Sequence, residues 1–450
     1  MMIKQSPMKL FVLFILVPFL AFSQKEELSL KAAITYALQH KADAKKAQLQ
    51  IENAEYQIQE TRSQLLPQIS GNGNLTNNPL LQQSALPGDL VGQPGTTILA
   101  TFGQEWGSSI GAKLTQNIFN QAVFTGLRAA KTTREFYQIN AQLTNEELIQ
   151  KVAENYYNVY MEREKLNVVD SSIINTSKVR DVLQGQFDNG LAKKIDVDRL
   201  EVKLSNLRAQ RQQAINALET QENTLKFFMG MPIESKVYLP ESEFEISTMV
   251  QEDEIVNVEN LTEYRLMEAE KQLLTFQKKS IQAEYYPTLS LDGNYSYQGL
   301  GNDFPIFADT GSDANWFEVA SIGVSMKIPI FTGFSTRSRV RQADIEIQTA
   351  SENIKDAKLS LELDFQNAKS KLTNNAITIN NQRENAILAQ RVLDDTSNNY
   401  YNGLASLTDL LDAQNSLIES QNNLSQAILE YKLASIQLLK AKGQLNQLLD

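Results

Sequence analysis

The sequence predicts a mostly α-helical protein with a membrane β-barrel, in which each chain has two structural repeats and contributes four strands. Three observations indicate this fold class. A unit of about 200 residues occurs twice, two long stretches contain no proline, and the segments between them alternate apolar with small or polar residues. The first observation predicts a duplication, the second predicts long helices and the third predicts strands.

The duplication is clearest in one phrase. The stretches "DNGLAKKIDVDRL" and "YNGLASLTDLLDA" align Gly190 with Gly403 at an offset of 213 residues. Upstream, "LLPQISGNGN" aligns with "YYPTLSLDGN", and "NIFN" aligns with "PIFT". Three landmarks recur in the same order, so we expect a first repeat over residues 24–231 and a second over residues 232–450.

The N-terminal residues have the pattern of a cleaved secretory signal. Lys4 and Lys9 precede an apolar run over residues 10–22, and Ala21-Phe22-Ser23 supplies the small-residue cleavage site. Residues 1–23 are therefore expected to be a signal peptide that is removed. No later segment has about 18 consecutive apolar residues, so membrane contact after export is expected to be made by strands.

Composition argues against enzymatic, metal-binding and nucleic-acid functions. The chain has no cysteine and one histidine, His40, which removes disulfides, thiolate metal sites and most catalytic arrangements. Asp and Glu number 53 against 42 Lys and Arg, which disfavours nucleic acid as a partner. We expect no catalytic residue, no metal and no cofactor.

Two long stretches favour helices. No proline lies between Pro94 and Pro232 or after Pro329, and the helical parts of these stretches contain little glycine outside the repeated phrase. The phrase is therefore expected to be a turn between helices, with Asn-Gly supplying the left-handed residue that ends a helix. We expect these tip turns at residues 187–195 and 400–408.

The predicted helices match one another in length. Helices over 120–186 and 335–401 each have 67 residues, about 100 Å. Each is matched by two shorter helices, such as 30–66 and 195–229 in the first repeat. Apolar residues recur at alternating spacings of three and four, with small or polar residues at several seam positions. The pattern is typical of helices packed side by side in a cylinder wall.

Four strands are predicted between the helices, over about 68–78, 108–119, 288–298 and 320–331. Their alternation is typical both of a lipid-facing barrel strand and of a half-buried soluble strand. Trp106 and Trp316 favour the first interpretation. Trp106 stands about one strand length before Phe119, and Trp316 stands about one strand length before Phe331. Aromatic side chains are therefore expected at both membrane interfaces. Four strands cannot close a barrel, so we expect an oligomer that shares one.

The order of these parts resembles the TolC family of outer-membrane efflux ducts. The match covers nearly all of the chain after the signal, and its most specific element is the doubled "NGLA" turn followed by an aspartate. The resemblance implies a homotrimer with a twelve-stranded barrel in outer-membrane lipid and a helical barrel in the periplasm. It implies an exit duct for substrates delivered by an inner-membrane pump through a periplasmic adaptor protein.

The resemblance also implies roles for the tip residues. Those expected to contact the adaptor are Gly190, Leu191, Ala192, Gly403, Leu404 and Ala405. Asp409 and Asp412 match a pair of aspartates that lines the narrowest ring of the closed channel. On the residues alone, Asp409 also fits a capping box with Ser406. Six such carboxylates around one lumen would attract cations and raise one another's pKa.

A gate link is implied between the two turns. Tyr400 and Asp196 match a tyrosine and an aspartate that bond to each other in the family. The family has a basic residue two places after the second glycine, where this chain has Ala405. The expected substitutes are Lys193 and Lys194 on the first turn.

Two other functions stay open at this point. A duct of the same fold can serve a type I protein-secretion system instead of an efflux system. A structural coiled-coil protein of the cell envelope would explain the helices and the signal. It would not explain the matched helix lengths, the paired tryptophans or the strand alternation.

Overall fold

The computed structural model describes residues 27–240, 256–306 and 313–449. The expected signal peptide lies outside these residues. The helices in the described ranges are α1 (Leu30–His40), α2 (Ala42–Ser63), α3 (Gln121–Asp188), α4 (Lys194–Met229), α5 (Thr262–Gln282), α6 (Ser335–Tyr401) and α7 (Leu407–Ala441). The strands are β1 (Gln68–Asn77), β2 (Gln83–Pro87), β3 (Thr97–Thr101), β4 (Trp106–Phe119), β5 (Thr288–Gly301) and β6 (Asn315–Lys327).

Two helices determine the length of the molecule. Helix α3 has 68 residues and α6 has 67, about 100 Å each. Each continues through a tip turn into a shorter helix packed against it, forming a first hairpin (α3 and α4) and a second hairpin (α6 and α7). Helix α2 also packs along α3, and α5 packs along α6. Each long helix is thus matched by two shorter ones.

None of the helices in the described ranges is both long and apolar enough to cross a membrane.

The largest buried cluster surrounds the middle of α3. Tyr156 and Val152 of α3 are fully buried there, together with Ile34 of α1, Met229 of α4 and the nearly buried Ile436 of α7. Burying each large apolar side chain contributes about 1.5–3 kcal/mol. The cluster therefore joins α1 and both hairpins at mid-height.

The helix expected over residues 30–66 is interrupted. Lys41 has an extended backbone (ψ 134°) and separates α1 from α2. Its side chain is buried, its Nζ donates to the Phe227 carbonyl oxygen at 2.8 Å, and the same Nζ lies 3.6 Å from the Phe227 ring centroid. The carbonyls at the end of α4 attract the ammonium group, which stabilises the break.

The main sheet is antiparallel, with strand order β1-β4-β5-β6. The central pairing of β4 with β5 joins the two repeats. Two features differ from expectation. The loop after β1 contains the separate hairpin β2–β3, and the fourth predicted strand, about 320–331, actually covers Asn315–Lys327. Pro329 has no N–H to donate to a ladder, so the strand ends before it and Phe331 lies outside the sheet.

Candidate functional site

The main sheet has one apolar and one polar face. Residues paired directly across strands lie on the same face, so the register assigns every side chain. One face is mostly apolar and carries Ile69, Leu75, Ile110, Ala112, Leu114, Leu289, Leu291, Tyr295, Tyr297, Ala320, Ile322, Val324 and Met326, together with Ser108, Gln116 and Glu318. Ile322 is 80% exposed and Ile69 is 72% exposed, so the residues that the structure describes leave both largely uncovered. Such a face requires an apolar surrounding.

The opposite face is mostly polar. It carries Ser70, Asn72, Asn74, Ser109, Lys113, Thr115, Asn117, Ser290, Asp292, Asn294, Ser321 and Ser325. Asp292 in its centre accepts a hydrogen bond from Ser325 Oγ at 2.6 Å. Polar side chains on one face and apolar ones on the other are typical of strands between lipid and a water-filled lumen.

Aromatic side chains mark one end of this sheet. Trp106 and Trp316 lie on the apolar face, since they pair with Gly301 and Gly299 of β5. The Trp316 ring stacks on Tyr297 with centroids 4.8 Å apart. Strand β4, which begins at Trp106, has 14 residues and spans about 45 Å, or about 30 Å across a membrane when tilted by 45°.

Two further aromatic pairs lie where the strands lead into the long helices. Phe119 ends β4 and its ring lies 5.8 Å from that of Phe124. Phe331 follows β6 and packs edge-on against Phe334 at 5.4 Å. The two repeats thus carry matching aromatic pairs at this level, which fits a second membrane interface.

The two tip turns have the same backbone structure. Gly190 and Gly403 take left-handed φ values of 74° and 73°. In each turn the following leucine N–H bonds to a carbonyl five residues back, at 2.8 Å, which is a Schellman motif. Leu191 is 80% exposed and Leu404 is 78% exposed. Each helical hairpin therefore presents a leucine at its outermost point.

Asp409 makes the capping box that its sequence position allowed. Its carboxylate accepts from Ser406 N at 2.8 Å, and its own N–H donates to Ser406 Oγ at 3.2 Å. Hydrogen bonds from Ser406 lower the pKa of Asp409. Asp412 lies one helical turn further on, so both exposed carboxylates share one face of α7. A mutual rise in pKa is expected for the carboxylates of an assembled ring. Within one chain, the hydrogen bonds of the cap lower the pKa of Asp409 instead.

Asp196 and Tyr400 are brought near each other by the two turns. Burial raises the pKa of the Tyr400 hydroxyl, and the negative charge of Asp196 raises it further. The two side chains therefore lie within electrostatic range. Within the described residues no hydrogen bond joins them, and Asp196 instead pairs with Arg199 at 3.7 Å.

The remaining predicted tip residues lie at the surface or close to it. Ala405 and Ala192 are partly buried, whereas Lys193 and Lys194 are exposed. Lys193 is the N-cap residue of α4 and makes no side-chain capping bond. Neither lysine forms an ion pair within the part of the chain that the structure describes.

A buried cluster holds the two hairpins together just above the turns. We call it the tip cluster; it comprises Val179, Leu183, Val197, Leu200, Leu393, Leu407, Leu410, Ala413 and Leu417, with Tyr400 packed at its edge. All four hairpin helices contribute to it. Leu200 and Leu410 are almost completely buried at its centre. The tips of the two hairpins thus form one packed unit.

One polar contact beside this cluster was not found from the sequence. Lys203 on α4 donates through Nζ to Asn415 Oδ1 on α7. Partial burial lowers the pKa of Lys203. The sequence gives only a weak indication of this contact. Lys203 lies between the seam residues Leu200 and Leu207, and the coiled-coil pattern does not distinguish it from other polar residues of the helix.

A sheet with one exposed apolar face, continued by two glycine-capped helical hairpins, defines a duct that spans the outer membrane and extends into the periplasm. A sequence profile described as "Outer membrane efflux protein" matches residues 33–231 and 265–444. The chain belongs to this family.

Individual relatives agree with this assignment. The outer membrane protein TolC of Vibrio cholerae serotype O1 is 24% identical over 405 residues, covering 87% of this chain and 85% of that protein. The alkaline protease secretion protein AprF of Pseudomonas aeruginosa is 19% identical over 343 residues, covering 74% and 69%. The crystal structure of VceC from Vibrio cholerae superposes with a TM-score of 0.69 at 16% identity, covering 92% of this chain and 96% of that one. The predicted TolC-like fold is confirmed.

Proposed function

We propose that three copies of this chain form the outer-membrane exit duct of a tripartite efflux system. An inner-membrane pump and a periplasmic adaptor protein deliver the substrate to the helical tips. The substrate then passes through the helical barrel and leaves through the strand barrel. The chain itself carries out no catalysis and needs no cofactor in this role.

The proposal rests on the two unpaired edges of the main sheet. Strands β1 and β6 each have a strand partner on one side only within the described chain. In lipid each unpaired backbone group costs several kcal/mol, so open edges do not occur there. Pairing β1 of one copy with β6 of the next satisfies both edges. Three copies then supply twelve strands, which is enough to close a barrel.

The tips supply the second half of the proposal. Leu191 and Leu404 are exposed at the ends of the hairpins, where an apolar partner surface can bury them. Adaptor contact is accordingly assigned to the two turns, from Gly190 to Ala192 and from Gly403 to Ala405. In a trimer this makes six contact points, three from each kind of turn.

The periplasmic entrance of the duct is assigned to residues in and beside the two turns. Asp409 and Asp412 share one face of α7, so a trimer would bring six carboxylates to one ring. Asp196 and Tyr400 lie where the first turn meets the second, and they are assigned to the closed gate. Lys193 and Lys194 are assigned to the same gate, on the side where the second turn has Ala405.

A direct test is purification in mild detergent. Light scattering corrected for detergent should give the mass of three chains, and a planar bilayer should show conductance with a preference for cations. A water-soluble monomer that passes no current would overturn the proposal. Fractionation adds a control, because a structural envelope scaffold would remain soluble without detergent.

One alternative keeps the duct and changes its cargo. AprF, a relative of this chain, is named for the secretion of an alkaline protease. A protein-secretion duct would be occupied by a polypeptide during transport. Deleting the gene and comparing drug accumulation in cells with the proteins of the culture medium separates the two functions: efflux predicts a change in the first, and secretion predicts a change in the second.

A further inference from the structure

The two hairpins are linked near their tips by very few polar contacts. Within the first hairpin, Arg211 pairs with Asp170 at 2.6 Å, and Arg180 pairs with Glu201. Over residues 165–215 and 385–425, all of which the structure describes, one side-chain hydrogen bond joins the first hairpin to the second. It is the bond from Lys203 Nζ to Asn415 Oδ1.

Lys203 is held in a partly buried position. Its neighbours along α4, Leu204 and Leu207, are almost completely buried, so its methylene chain lies beside an apolar seam. Burial lowers the pKa of its amine, which means that removal from water is not fully compensated. A hydrogen bond from a partly desolvated ammonium group to an amide oxygen is stronger than the same bond in open water.

The acceptor is an amide oxygen on α7. Asn415 lies on an exposed part of that helix, beside the buried tip-cluster residues Ala413 and Leu417. Desolvation is the cause of the lowered pKa of Lys203, and its ammonium group is held by the Asn415 oxygen.

We propose that Lys203 acts as a latch that holds the two hairpins together at the periplasmic entrance. Release of its bond to Asn415 accompanies the separation of the hairpins that opens the duct. The inference rests on the proposed function of the tips as a gate. It adds a residue pair that lies above the turns and outside the repeated phrase.

The first test measures the fraction of time that single trimers spend open in a planar bilayer. Lys203→Met keeps the apolar chain and removes the ammonium group, so we expect the fraction of time spent open to rise about tenfold, as for the loss of a charge-assisted hydrogen bond. Lys203→Arg keeps a cationic donor and should retain the closed behaviour. The matched control is Arg211→Met, which breaks the α4–α3 ion pair inside the first hairpin and should leave gating unchanged.

The second test uses the absence of cysteine from the chain. Lys203→Cys with Asn415→Cys, joined by a short bifunctional maleimide, should keep the duct closed. The same reagent on Asp170→Cys with Arg211→Cys crosslinks within the first hairpin and should still allow opening. This test does not depend on the folding of the Met variant, because crosslinking follows assembly.

The outcomes separate the latch from the proposed function. If the unmodified protein passes no current, the duct assignment itself fails. If it conducts but Lys203→Met gates like the unmodified protein, the latch alone is wrong. The latch is also wrong if Arg211→Met opens the duct as much as Lys203→Met, or if the crosslinked Lys203–Asn415 pair opens normally.

Discussion

The first tip turn, at Gly190, and the second, at Gly403, differ in how the next helix begins. Lys193 occupies the N-cap of α4 and makes no capping bond, whereas Ser406 occupies the N-cap of α7 and forms a capping box with Asp409. The glycine conformations and the bonds that end the preceding helices are the same. The fold therefore needs the glycine, and the residues after it are free to carry charge.

The largest effect is expected from removing the acidic residues that follow the second turn. Asp409→Asn combined with Asp412→Asn takes six carboxylates from the ring of a trimer, so the preference for cations should fall on the order of tenfold. The reversal potential in a salt gradient measures it. Asp394→Asn with Asp395→Asn, two exposed positions on α6, is the control. Unchanged selectivity would exclude the proposed ring.

The basic side can be reversed in the same way. Lys193→Glu with Lys194→Glu replaces two positive charges with two negative ones on the first turn of each chain, so the closed conductance should rise roughly threefold through charge repulsion. Single-channel recording measures it. Lys45→Glu with Lys46→Glu on α2 controls for net charge, and an identical closed conductance in the tip variant would count against the gate assignment.

The shared backbone predicts equal sensitivity of the two glycines. Gly190→Ala and Gly403→Ala should each destabilise by about 1–2 kcal/mol, the cost of a left-handed residue with a Cβ. Nothing lies within 4 Å of the added Cβ at either position, so packing does not contribute. Thermal unfolding in detergent tests this. Gly185→Ala inside α3, also with nothing near its Cβ, should be stabilising by about 1 kcal/mol.

The smallest expected effects come from exchanging the caps. Ser406→Ala should cost about 1 kcal/mol, and Lys193→Ser should gain about 0.5–1 kcal/mol, because Asp196 then stands three residues after a serine as Asp409 does. Thermal unfolding at neutral pH measures both. A loss of stability in Lys193→Ser would mean that the lysine has a structural partner in the assembly.

The pH dependence of the second cap has a definite sign. The pKa of Asp409 is lowered in the folded chain, so its stabilisation is complete above the ordinary pKa of an aspartate. It is lost as the pH falls through the lowered pKa of Asp409. The difference in melting temperature between the unmodified protein and Ser406→Ala should therefore shrink at acidic pH and stay constant from pH 5 upward. A constant difference at all pH values would contradict it.

Sequence patterns predicted the parts of the fold that depend on local chemistry. The absence of proline and glycine predicted α3 and α6 to within two residues at each end, because helix breaking is a property of single residues. Alternation predicted the strands of the main sheet, and Asn-Gly predicted the tip turns. Capping by Ser406 followed from a three-residue spacing alone.

The features that escaped prediction depend on distant contacts. Lys41 interrupts the first helix because its ammonium group reaches Phe227, far along the chain. Lys203 and Asn415 are joined only because α4 and α7 pack side by side. The β2–β3 hairpin lies in a stretch rich in Gly and Pro, whose composition indicates turns and conceals two short paired segments.

The pairing of β4 with β5 has a consequence for biogenesis. Helices α3, α4 and α5 all lie between these two strands in the sequence. The strands can therefore pair only after the first hairpin has folded back on itself and returned the chain to the sheet. Pairings of such high sequence separation form late in folding. The helical hairpins should therefore fold first, in the aqueous compartment. Insertion of the sheet into lipid should be the last step in the assembly of a newly exported chain.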